Sequence, residues 1–556
     1  EDISSEPAEK HTYLVTSASD RGPGTLRECL EHLKPNTTVT FDPSMFPPSA
    51  PATIQLQSPL PEIVADYTTL DGSQAGVILD GSELSYGNGL TLSASRCSIM
   101  GLQVVRFPGN GMQISGNENQ IGGSRSVGAG PVGQGNLASG NGICGIFIGG
   151  WDSLVIGNLV GTDVSGALPI PNYDGLFVTD WGFRITLGSI NPDEGNVVSG
   201  NDFINMDTWG DHTLIIGNII GLDISGTRPV REDTRSNLTL ESGAMNTLVG
   251  GSEPQERNLI GGANLGVVFS DQNTYQNAVI GNYIGTDITG TKAAPNQTGV
   301  LVWMVGNNRV GGGAPGEGNL ISSNGTGIEL SGYGVTDNIV LGNRIGIDVG
   351  GESLLPNGVG LSLHTGQRHA VIGGFTPEEG NLIVGGHISA RITHPGIRDC
   401  YLAGNTMIGA SVAGAYLEDR ACSNFIQGNM LGAMEGYSVR VDYGTGNEIR
   451  SNSFTGEKPT EMVLLLEGGN RELGAPRVSG VKKQTLSGTT CAYGYVEIYL
   501  FQDNRAIPLG FAHADAKGKF AFTSSQPLNG KQVILLVTDI LNNTSAFSQP
   551  YTVKAK

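Results

Sequence analysis

Short apolar segments separated by polar turns recur along most of the chain, and this pattern predicts β-strands rather than helices. The turns contain glycine and asparagine, which tolerate the tight corners that join short strands. Such a chain forms coils that change direction several times per lap. The clearest apolar segments are residues 146–148, 176–178, 238–240, 267–269, 301–302 and 361–363.

Two sequence phrases alternate along this pattern. The first, Gly-Asn-x-Ile/Val-Gly-x-Asp, occupies residues 157–163, 217–223, 281–287 and 342–348, with copies about 60 residues apart. The second contains Glu-Gly-Asn and begins at Glu194, Glu317 and Glu379. The repeat is therefore two half-repeats of about 30 residues each, the length of one solenoid coil.

These half-repeats predict an all-β fold, a right-handed parallel β-helix solenoid. Asparagines at equivalent places are expected to stack as an internal ladder, with amides bonded to one another and to neighbouring backbone. The predicted ladder residues are Asn158, Asn218, Asn282, Asn343, Asn405 and Asn429.

Three domains are predicted from the changes in pattern. Residues 1–88 form an N-terminal cap and the first coils, with a capping helix over residues 25–33. Residues 89–474 form the β-helix repeats. Residues 475–556 alternate like antiparallel strands and predict a small Ig-like β-sandwich.

Three segments carry a resemblance to known families. Residues 15–27 (VTSASDRGPGTLR) and 70–72 (LDG) resemble the opening segment of pectate-lyase-type β-helix proteins. The half-repeats resemble right-handed β-helix repeat proteins of bacterial surfaces, and residues 543–548 (NTSAFS) resemble the Ig-like modules attached to them. The resemblance implies the fold but not the activity, since this fold carries lyases, hydrolases, epimerases, phage tailspikes and adhesins. No catalytic motif of a pectate lyase, polygalacturonase or epimerase is recognised.

The chain is acidic, with a formal net charge of −20 and a pI near 4.8. This charge argues against a nucleic-acid partner, an anionic membrane surface and a polyanionic substrate, unless calcium bridges the last. No apolar run reaches the roughly 18 residues needed for membrane insertion. The start at Glu1 rather than Met leads us to expect a secreted or surface-exposed bacterial protein. Cys400 and Cys422 lie one coil apart, and both a disulfide and two free thiols fit the sequence.

The tryptophans follow apolar strands of the repeat, so an aromatic row is expected on one face. The turns around them combine indoles, carboxylates and an imidazole, which is typical of a sugar-binding cleft. None of these turns contains Arg or Lys, which disfavours a polyuronate lyase and favours a neutral glycan. The predicted substrate-binding residues are Trp151, Asp152, Trp181, Trp209, Asp211, His212, Tyr275 and Trp303.

Four acids are predicted to fall on four consecutive coils: Asp180, Asp207, Glu241 and Asp271. Because parallel strands lie about 4.8 Å apart, acids at matching positions are about 5 or 10 Å apart. Retaining glycosidases need about 5 Å between carboxylates, and inverting ones about 6.5–9.5 Å. Asp207 is the first candidate, since its turn also contains Trp209, Asp211 and His212. The alternative is that each acid is a solvated turn residue that accepts backbone N–H bonds.

Two further groups raise the question of a metal. The repeated Asp163, Asp223, Asp287 and Asp348 fit turn residues better than calcium ligands, since each loop offers one certain carboxylate. The histidines between residues 364 and 394 match no strong ligand spacing. No metal site and no other cofactor is predicted.

Two functions remain open on the sequence. The first is a secreted glycoside hydrolase that acts on an extracellular neutral polysaccharide along the tryptophan face. The second is a non-enzymatic surface protein, an adhesin or a sheath, filament or matrix subunit. In that interpretation the β-helix is a rigid scaffold, the tryptophans contact a partner or a second copy in a homo-oligomer, and the sandwich serves attachment or assembly.

Overall fold

The structure is a computed structural model that describes residues 9–333 and 336–554. Residues 1–8 of the predicted cap lie outside the described residues. The chain divides into two compact units, residues 1–297 and residues 298–556. This division falls within the predicted repeats, and the predicted domain boundaries stay predictions.

The first unit is built from three parallel sheets, which the chain visits in the order sheet 1, sheet 2, sheet 3 in each full coil. Sheet 1 of this unit contains His11–Val15, Thr37–Phe41, Thr69–Asp71, Ser98–Met100, Gln120–Gly122, Leu154–Ile156, Thr186–Leu187, Leu214–Ile215, Leu248–Gly250 and Ala278–Ile280. Sheet 2 contains Ala52–Gln55, Val77–Asp80, Leu102–Val105, Leu137–Ser139, Leu159–Val160, Val197–Val198, Ile219–Ile220, Leu259–Ile260 and Tyr283–Ile284. Sheet 3 contains Leu90–Leu92, Met112–Ile114, Cys144–Ile148, Asp174–Val178, Ile204–Thr208, Ser236–Leu240 and Leu265–Phe269.

The second unit also has three parallel sheets visited in the order sheet 1, sheet 2, sheet 3, and it ends in antiparallel strands. Its sheet 1 strands are Arg309–Gly311, Ile339–Leu341, Val371–Gly373, Tyr401–Ala403, Phe425–Gln427 and Glu448–Arg450. Its sheet 2 strands are Leu320–Ile321, Arg344–Ile345, Leu382–Val384, Thr406–Ala410, Met430–Ala433 and Ser453–Thr455. Its sheet 3 strands are Thr298–Trp303, Thr326–Ser331, Val359–His364, Ile388–Thr393, Ala413–Glu418, Tyr437–Asp442 and Val463–Leu466. The long parallel sheets agree with the predicted parallel β-helix.

Helical segments are few and short in the described residues. Leu26–Glu31 is an α-helix whose N-cap, Thr25, accepts a hydrogen bond from the Glu28 backbone N–H at 3.3 Å. The helix lies where the sequence predicts one, and its capping role stays a prediction. The other helical segments are Pro254–Glu256, Pro459–Met462 and Gly469–Glu472. None of these helices is long and apolar enough to cross a membrane.

The core of the first unit consists of apolar side chains stacked in register, one on top of another. In sheet 3 the row of inward residues is fully buried, because each strand pairs parallel with the strand of the coil before it. This row consists of Ile146, Leu176, Met206, Leu238 and Val267. Since side chains alternate along a strand, the residues next to these inward residues within each strand face outward.

The predicted asparagine ladder is present in both units. In the first unit Asn218 accepts from the Asn196 side-chain amide and donates to Oδ1 of Asn258, both at 3.0 Å. Asn218 also donates to the backbone carbonyl groups of Leu187 and Ile216. Asn196 and Asn218 come from the two alternating phrases, each of which contains a Gly-Asn pair, whereas Asn258 follows Arg257. In the second unit the ladder consists of Asn319, Asn343, Asn381, Asn405, Asn429 and Asn452.

The repeated aspartates accept hydrogen bonds from backbone N–H groups of their own loops. Oδ1 of Asp163 accepts the backbone N–H groups of Ala167 and Leu168, at 3.1 and 3.0 Å. The matching oxygens of the other three aspartates accept from the residue four positions later, at 3.0 Å for Asp223, 3.3 Å for Asp287 and 2.9 Å for Asp348. These bonds favour the turn interpretation over calcium binding.

Cysteine pairing and the C-terminal strands complete the fold. All six cysteines are free, so for Cys400 and Cys422 the structure has two thiols rather than a disulfide. Two antiparallel groups of strands follow residue 475 and share one apolar cluster. Their Ig-like nature stays a prediction. The first group is Arg477–Lys482, Thr485–Thr489 and Lys519–Thr523, and the second is Tyr495–Gln502, Arg505–His513, Gln532–Thr538 and Tyr551–Thr552.

The C-terminal region, including the segment between its last two strands, supplies hydrogen-bond partners to the last coil of the second unit. The backbone N–H of Ile449 donates to Oγ1 of Thr544 at 2.9 Å, and that of Gly446 donates to Oδ1 of Asn543 at 2.7 Å. Strand Ser453–Thr455 also pairs antiparallel with Arg505–His513. The C-terminal strands therefore cover an end of the coil stack whose backbone groups would otherwise lack partners.

A buried carboxyl lies at this junction. Oε1 of Glu497 accepts the backbone N–H of Ser451 at 2.8 Å, and Oε2 has no hydrogen-bond partner. Burial raises the pKa of Glu497 to about 7, against the lowering effects of the Ser451 N–H and of Arg450.

Substitution of Asn218 by Ala should lower the free energy of unfolding by about 3 kcal/mol, because it leaves several buried ladder groups unpaired. Denaturant unfolding measures this loss. Asn264→Ala is the matched control, since Asn264 is half-buried and lies outside the ladder. Equal losses in the two variants would contradict a stabilising ladder.

Glu497 should make stability depend on pH. Its pKa is higher in the folded protein than the ordinary 4.5, so the free energy of unfolding falls as the pH rises from about 4.5 through 7. The total fall is about 3 kcal/mol. Glu497→Gln should remove this part of the dependence in thermal unfolding curves, and Glu83→Gln, at an exposed site, should keep it. An unchanged pH dependence in Glu497→Gln would refute the assignment.

Candidate functional site

The outer face of sheet 3 in the first unit carries an unusual row of side chains. The in-register neighbours along this row are Phe147, Phe177, Asp207, Thr239 and Val268. A carboxylate thus replaces an apolar or aromatic side chain at one place. Asp207 lies within strand Ile204–Thr208 rather than in the turn after it, with Phe177 and Thr239 on either side.

Asp207 is buried even though it lies on the outer face. Its residue is 4% exposed, and the half-buried Trp209 follows two positions later on the same face. Neither Oδ1 of Asp207 nor Nε1 of Trp209 completes a hydrogen bond. The indole N–H is nevertheless close enough to favour the charged carboxylate. Two buried polar groups side by side without full partners are costly, which is typical of a functional site.

The electrostatics of Asp207 favour its protonated form. Burial is the largest cause, and the charges of Glu241 and Asp174 add to it, so the pKa of Asp207 lies well above its ordinary value. The Trp209 and Thr208 N–H groups oppose this rise without cancelling it. A carboxyl group whose pKa is raised by burial and by neighbouring acids is what a general acid requires.

Asp174 is a second acid with a raised pKa, and the sequence analysis missed it. Burial raises its pKa to about 6, the Ile204 backbone N–H lowers it, and the charge of Glu241 raises it. Oδ1 of Asp174 accepts that N–H at 3.1 Å. Asp174 opens strand Asp174–Val178, in register with Cys144 and Ile204. In the sequence Asp174 is marked by its place as a polar residue at the start of an apolar strand, whereas the other candidate acids were predicted in the turns behind the strands.

Glu241 completes the acid cluster, which we define as Asp174, Asp207 and Glu241. It directly follows strand Ser236–Leu240 and accepts a hydrogen bond from Oγ of Ser270 at 3.1 Å. Among the described residues, no Arg, Lys or His forms an ion pair with any member of the cluster. The cluster therefore carries uncompensated negative charge whenever its members ionise.

Aromatic rings flank the acid cluster. Phe147 and Phe177 lie 5.3 Å apart between ring centroids, and Trp209 meets Phe177 edge-on at 4.9 Å. Trp181 packs near Phe147 at 6.2 Å. At the other end of the same strands, a stacked pair precedes the acids, with 5.2 Å between the rings of Tyr173 and Phe203. The acids thus lie between two aromatic groups, as in a sugar-binding surface.

The other two predicted catalytic acids are not among the causes of the raised pKa values of Asp174 and Asp207. Asp180 and Asp271 are exposed turn residues, and Asp271 contacts Oγ of Ser242 at 3.4 Å. The premise that the four acids share matching positions is wrong, because Asp207 is a strand residue while the others follow strands. Of the other three predicted acids, Glu241 is the one whose charge raises the pKa of Asp207.

The remaining predicted binding residues of the first unit lie mostly at the corner after sheet 3. The backbone bridges of this corner join Trp151, Phe183, Asp211, Met245 and Tyr275 in register. Trp151 and Trp181 therefore occupy different register positions, and the expectation of one strict tryptophan row is wrong. The physical reason is that the turns between strand and corner differ in length.

The acids at this corner already have partners. Asp152 is ion-paired with Arg184, whose Nε lies 2.6 Å from Oδ1 of the aspartate. Oδ1 of Asp211 contacts Nδ1 of His212 at 2.7 Å and accepts the Asn246 amide at 3.0 Å. These carboxylates are less free to bind a sugar hydroxyl than the acid cluster is.

Trp303 belongs to the second unit. It is the last residue of strand Thr298–Trp303, where it is exposed and in register with Ser331. In the described residues no group of three or more His, Cys, Asp or Glu is placed to hold a metal ion.

The similarity of this chain to known proteins is weak. No family model and no curated protein matches the chain. Among solved structures it resembles the periplasmic alginate epimerase AlgG, at 10% identity and a TM-score of 0.32, over 82% of each chain. The A-module of the Azotobacter vinelandii mannuronan C-5 epimerase AlgE6 matches at 11% and 0.32, over 82% of this chain and 98% of that one. The Dettilon tailspike protein matches at 12% and 0.32, over 95% and 79%. At this similarity the neighbours identify neither an activity nor a substrate.

Substitution of Glu241 by Gln should lower the pKa values of both Asp174 and Asp207, because the Glu241 charge raises both. Carbon-13 NMR of labelled aspartate carboxyls, followed through a pH titration, measures this effect. Asp271→Asn, an exposed acid in the next coil, is the control and should leave both values in place. Unchanged titration in Glu241→Gln would show that the three acids do not form one cluster.

Proposed function

We propose that this protein is a secreted glycoside hydrolase that acts on a neutral polysaccharide across the outer face of sheet 3 in the first unit. The observation that carries the proposal is the buried, unpaired Asp207 beside Glu241 and the aromatic rings of Phe177 and Trp209. A pair of carboxyl groups is the usual machinery of glycoside hydrolysis.

Asp207 serves as the general acid in this proposal. Its raised pKa keeps the proton that the leaving glycosidic oxygen needs. Glu241 serves as the general base, because it is less buried and its carboxyl accepts a hydrogen bond from the Ser270 hydroxyl rather than from a basic side chain. Asp174 adds negative charge beside them and helps Asp207 to hold its proton.

The spacing of the two acids favours inversion. They lie on neighbouring strands and are offset by two residues, so their Cα atoms are about 8 Å apart. Inversion requires carboxyl groups roughly 6.5–9.5 Å apart with a water molecule between them, and we propose that the side chains of Asp207 and Glu241 keep this spacing. We therefore propose that the product has the opposite anomeric configuration to the substrate.

The charge of the site supports a neutral substrate. The acid cluster has no ion-paired base in the described residues, so a polyuronate would be repelled rather than neutralised. The flanking aromatic rings instead suit the apolar C–H faces of neutral sugars.

A non-enzymatic surface protein is the second candidate, and one observation favours it. Asp207 is only 4% exposed, so a substrate reaches it only if Trp209 moves aside. In this interpretation the acid cluster is structural, and the β-helix is a rigid scaffold for adhesion or for assembly of a sheath, filament or matrix.

The test is reducing-end release from a panel of neutral and acidic polysaccharides. Wild type should release ends from a neutral polymer, and Asp207→Asn or Glu241→Gln should lower the rate by roughly 10²–10⁴-fold. Activity should fall as the pH rises through the pKa of Asp207, because the general acid then loses its proton. Glu83→Gln, an exposed acid elsewhere in the unit, should keep full activity.

Two outcomes would count against the hydrolase. Release that persists in both acid variants would remove the assigned catalytic residues. No release from any polymer would favour the surface-protein candidate.

A further inference from the structure

The indole of Trp181 packs against the backbone of Gly149, which belongs to the preceding coil. A Cβ atom on Gly149 would lie 1.9 Å from Nε1 of Trp181, so any side chain at Gly149 would displace the indole. The backbone of Gly149 does not have a positive φ angle, so it does not need glycine for its conformation. The absence of a side chain at Gly149 therefore serves the position of Trp181.

The indole of Trp181, held against Gly149, remains exposed to solvent. Trp181 is 56% exposed although it contacts Gly149 and lies near Phe147. A hydrophobic ring system held in place and left exposed is suited to stack on the apolar face of a pyranose. Trp209 differs, since it is half-buried against Phe177 and covers Asp207.

The strand register gives the distance from Gly149, against which the Trp181 ring packs, to the acid cluster. Gly149 directly follows strand Cys144–Ile148, and the next strands in sheet 3 are Asp174–Val178, Ile204–Thr208 and Ser236–Leu240. Gly149 is therefore two strand spacings from the strand of Asp207, about 10 Å, and three from the strand before Glu241, about 14 Å. A ligand that touches both must run across the strands, in the direction in which the coils stack.

We infer that Trp181 is a distal subsite for a neutral oligosaccharide that lies across the strands of sheet 3. Chains long enough to reach from the acid cluster to Trp181 bind more tightly than short ones. Gly149 is a positioning residue for this subsite. The inference rests on the carbohydrate specificity in the proposed function but not on hydrolysis.

The experiment measures binding rather than activity. Isothermal titration is carried out with cello-, laminari-, xylo- and malto-oligosaccharides, from disaccharide to hexasaccharide, in wild type, Trp181→Ala and Gly149→Ala. In at least one series wild-type affinity should rise with length. Trp181→Ala should weaken the hexasaccharide by about tenfold, as expected for a lost stacking contact, and leave the disaccharide unchanged. Gly149→Ala should give a smaller loss of the same kind.

Controls separate this subsite from a general loss of structure. Tyr86→Ala removes another exposed ring of the first unit, which is 69% exposed, and should leave the length dependence intact. Thermal unfolding of each variant shows whether the fold is retained. Because Gly149→Ala keeps the indole and moves it, a length effect lost in both Gly149→Ala and Trp181→Ala is due to the position of the ring.

The outcomes distinguish this inference from the proposed function. Length-dependent binding that needs Trp181, without hydrolysis, supports the subsite and removes the hydrolase. Hydrolysis without length dependence retains the hydrolase and overturns the subsite. Equal losses for disaccharide and hexasaccharide, or no binding in any series, also overturn it.

Discussion

The in-register parallel pairing of each strand with the strand one coil earlier is the constraint on which this structure depends. It places residues about 30 positions apart in the sequence side by side, and it acts on both faces of a sheet at once. On the inside it stacks Leu176 on Met206 and joins the asparagine rungs into a ladder. On the outside the same register sets Asp207 between Phe177 and Thr239. The core that stabilises the fold and the acid cluster therefore have one origin.

The acid cluster costs stability, and the structure around it must offset that cost. A buried carboxyl without a basic partner favours its neutral form, and an unsatisfied Trp209 N–H adds to the penalty. Rows of fully buried apolar side chains lie directly beneath the cluster, and the ladder lies in the same coils. At the C-terminal end Asn543 and Thr544 supply partners to the last coil. Strain of this kind, held by a rigid scaffold, is characteristic of functional sites.

The sequence predicts the fold well because each half-repeat of the sequence corresponds to one coil of the β-helix. The alternating Gly-Asn phrases lead directly to parallel coils and to the ladder. The sequence also predicts that Asp207 and Glu241 lie on neighbouring coils. Asp174 is marked in the sequence only as a polar residue at the start of an apolar strand, a position that the pattern of turns does not include. The pairing of Trp151 with Phe183 rather than with Trp181 could not be predicted either, since turns of unequal length separate the strand ends from the corner. The ion pair of Asp152 with Arg184 depends on that corner register, which spacing alone does not give.

The central claim is that Asp207 remains protonated at neutral pH within the folded protein. Infrared difference spectroscopy between wild type and Asp207→Asn at pH 7 tests it directly. The account predicts that the variant loses a carbonyl band of a protonated carboxylic acid, because burial and the neighbouring acids disfavour the charge. Loss of an ionised carboxylate band instead would contradict the account, since a charged Asp207 has no proton to donate.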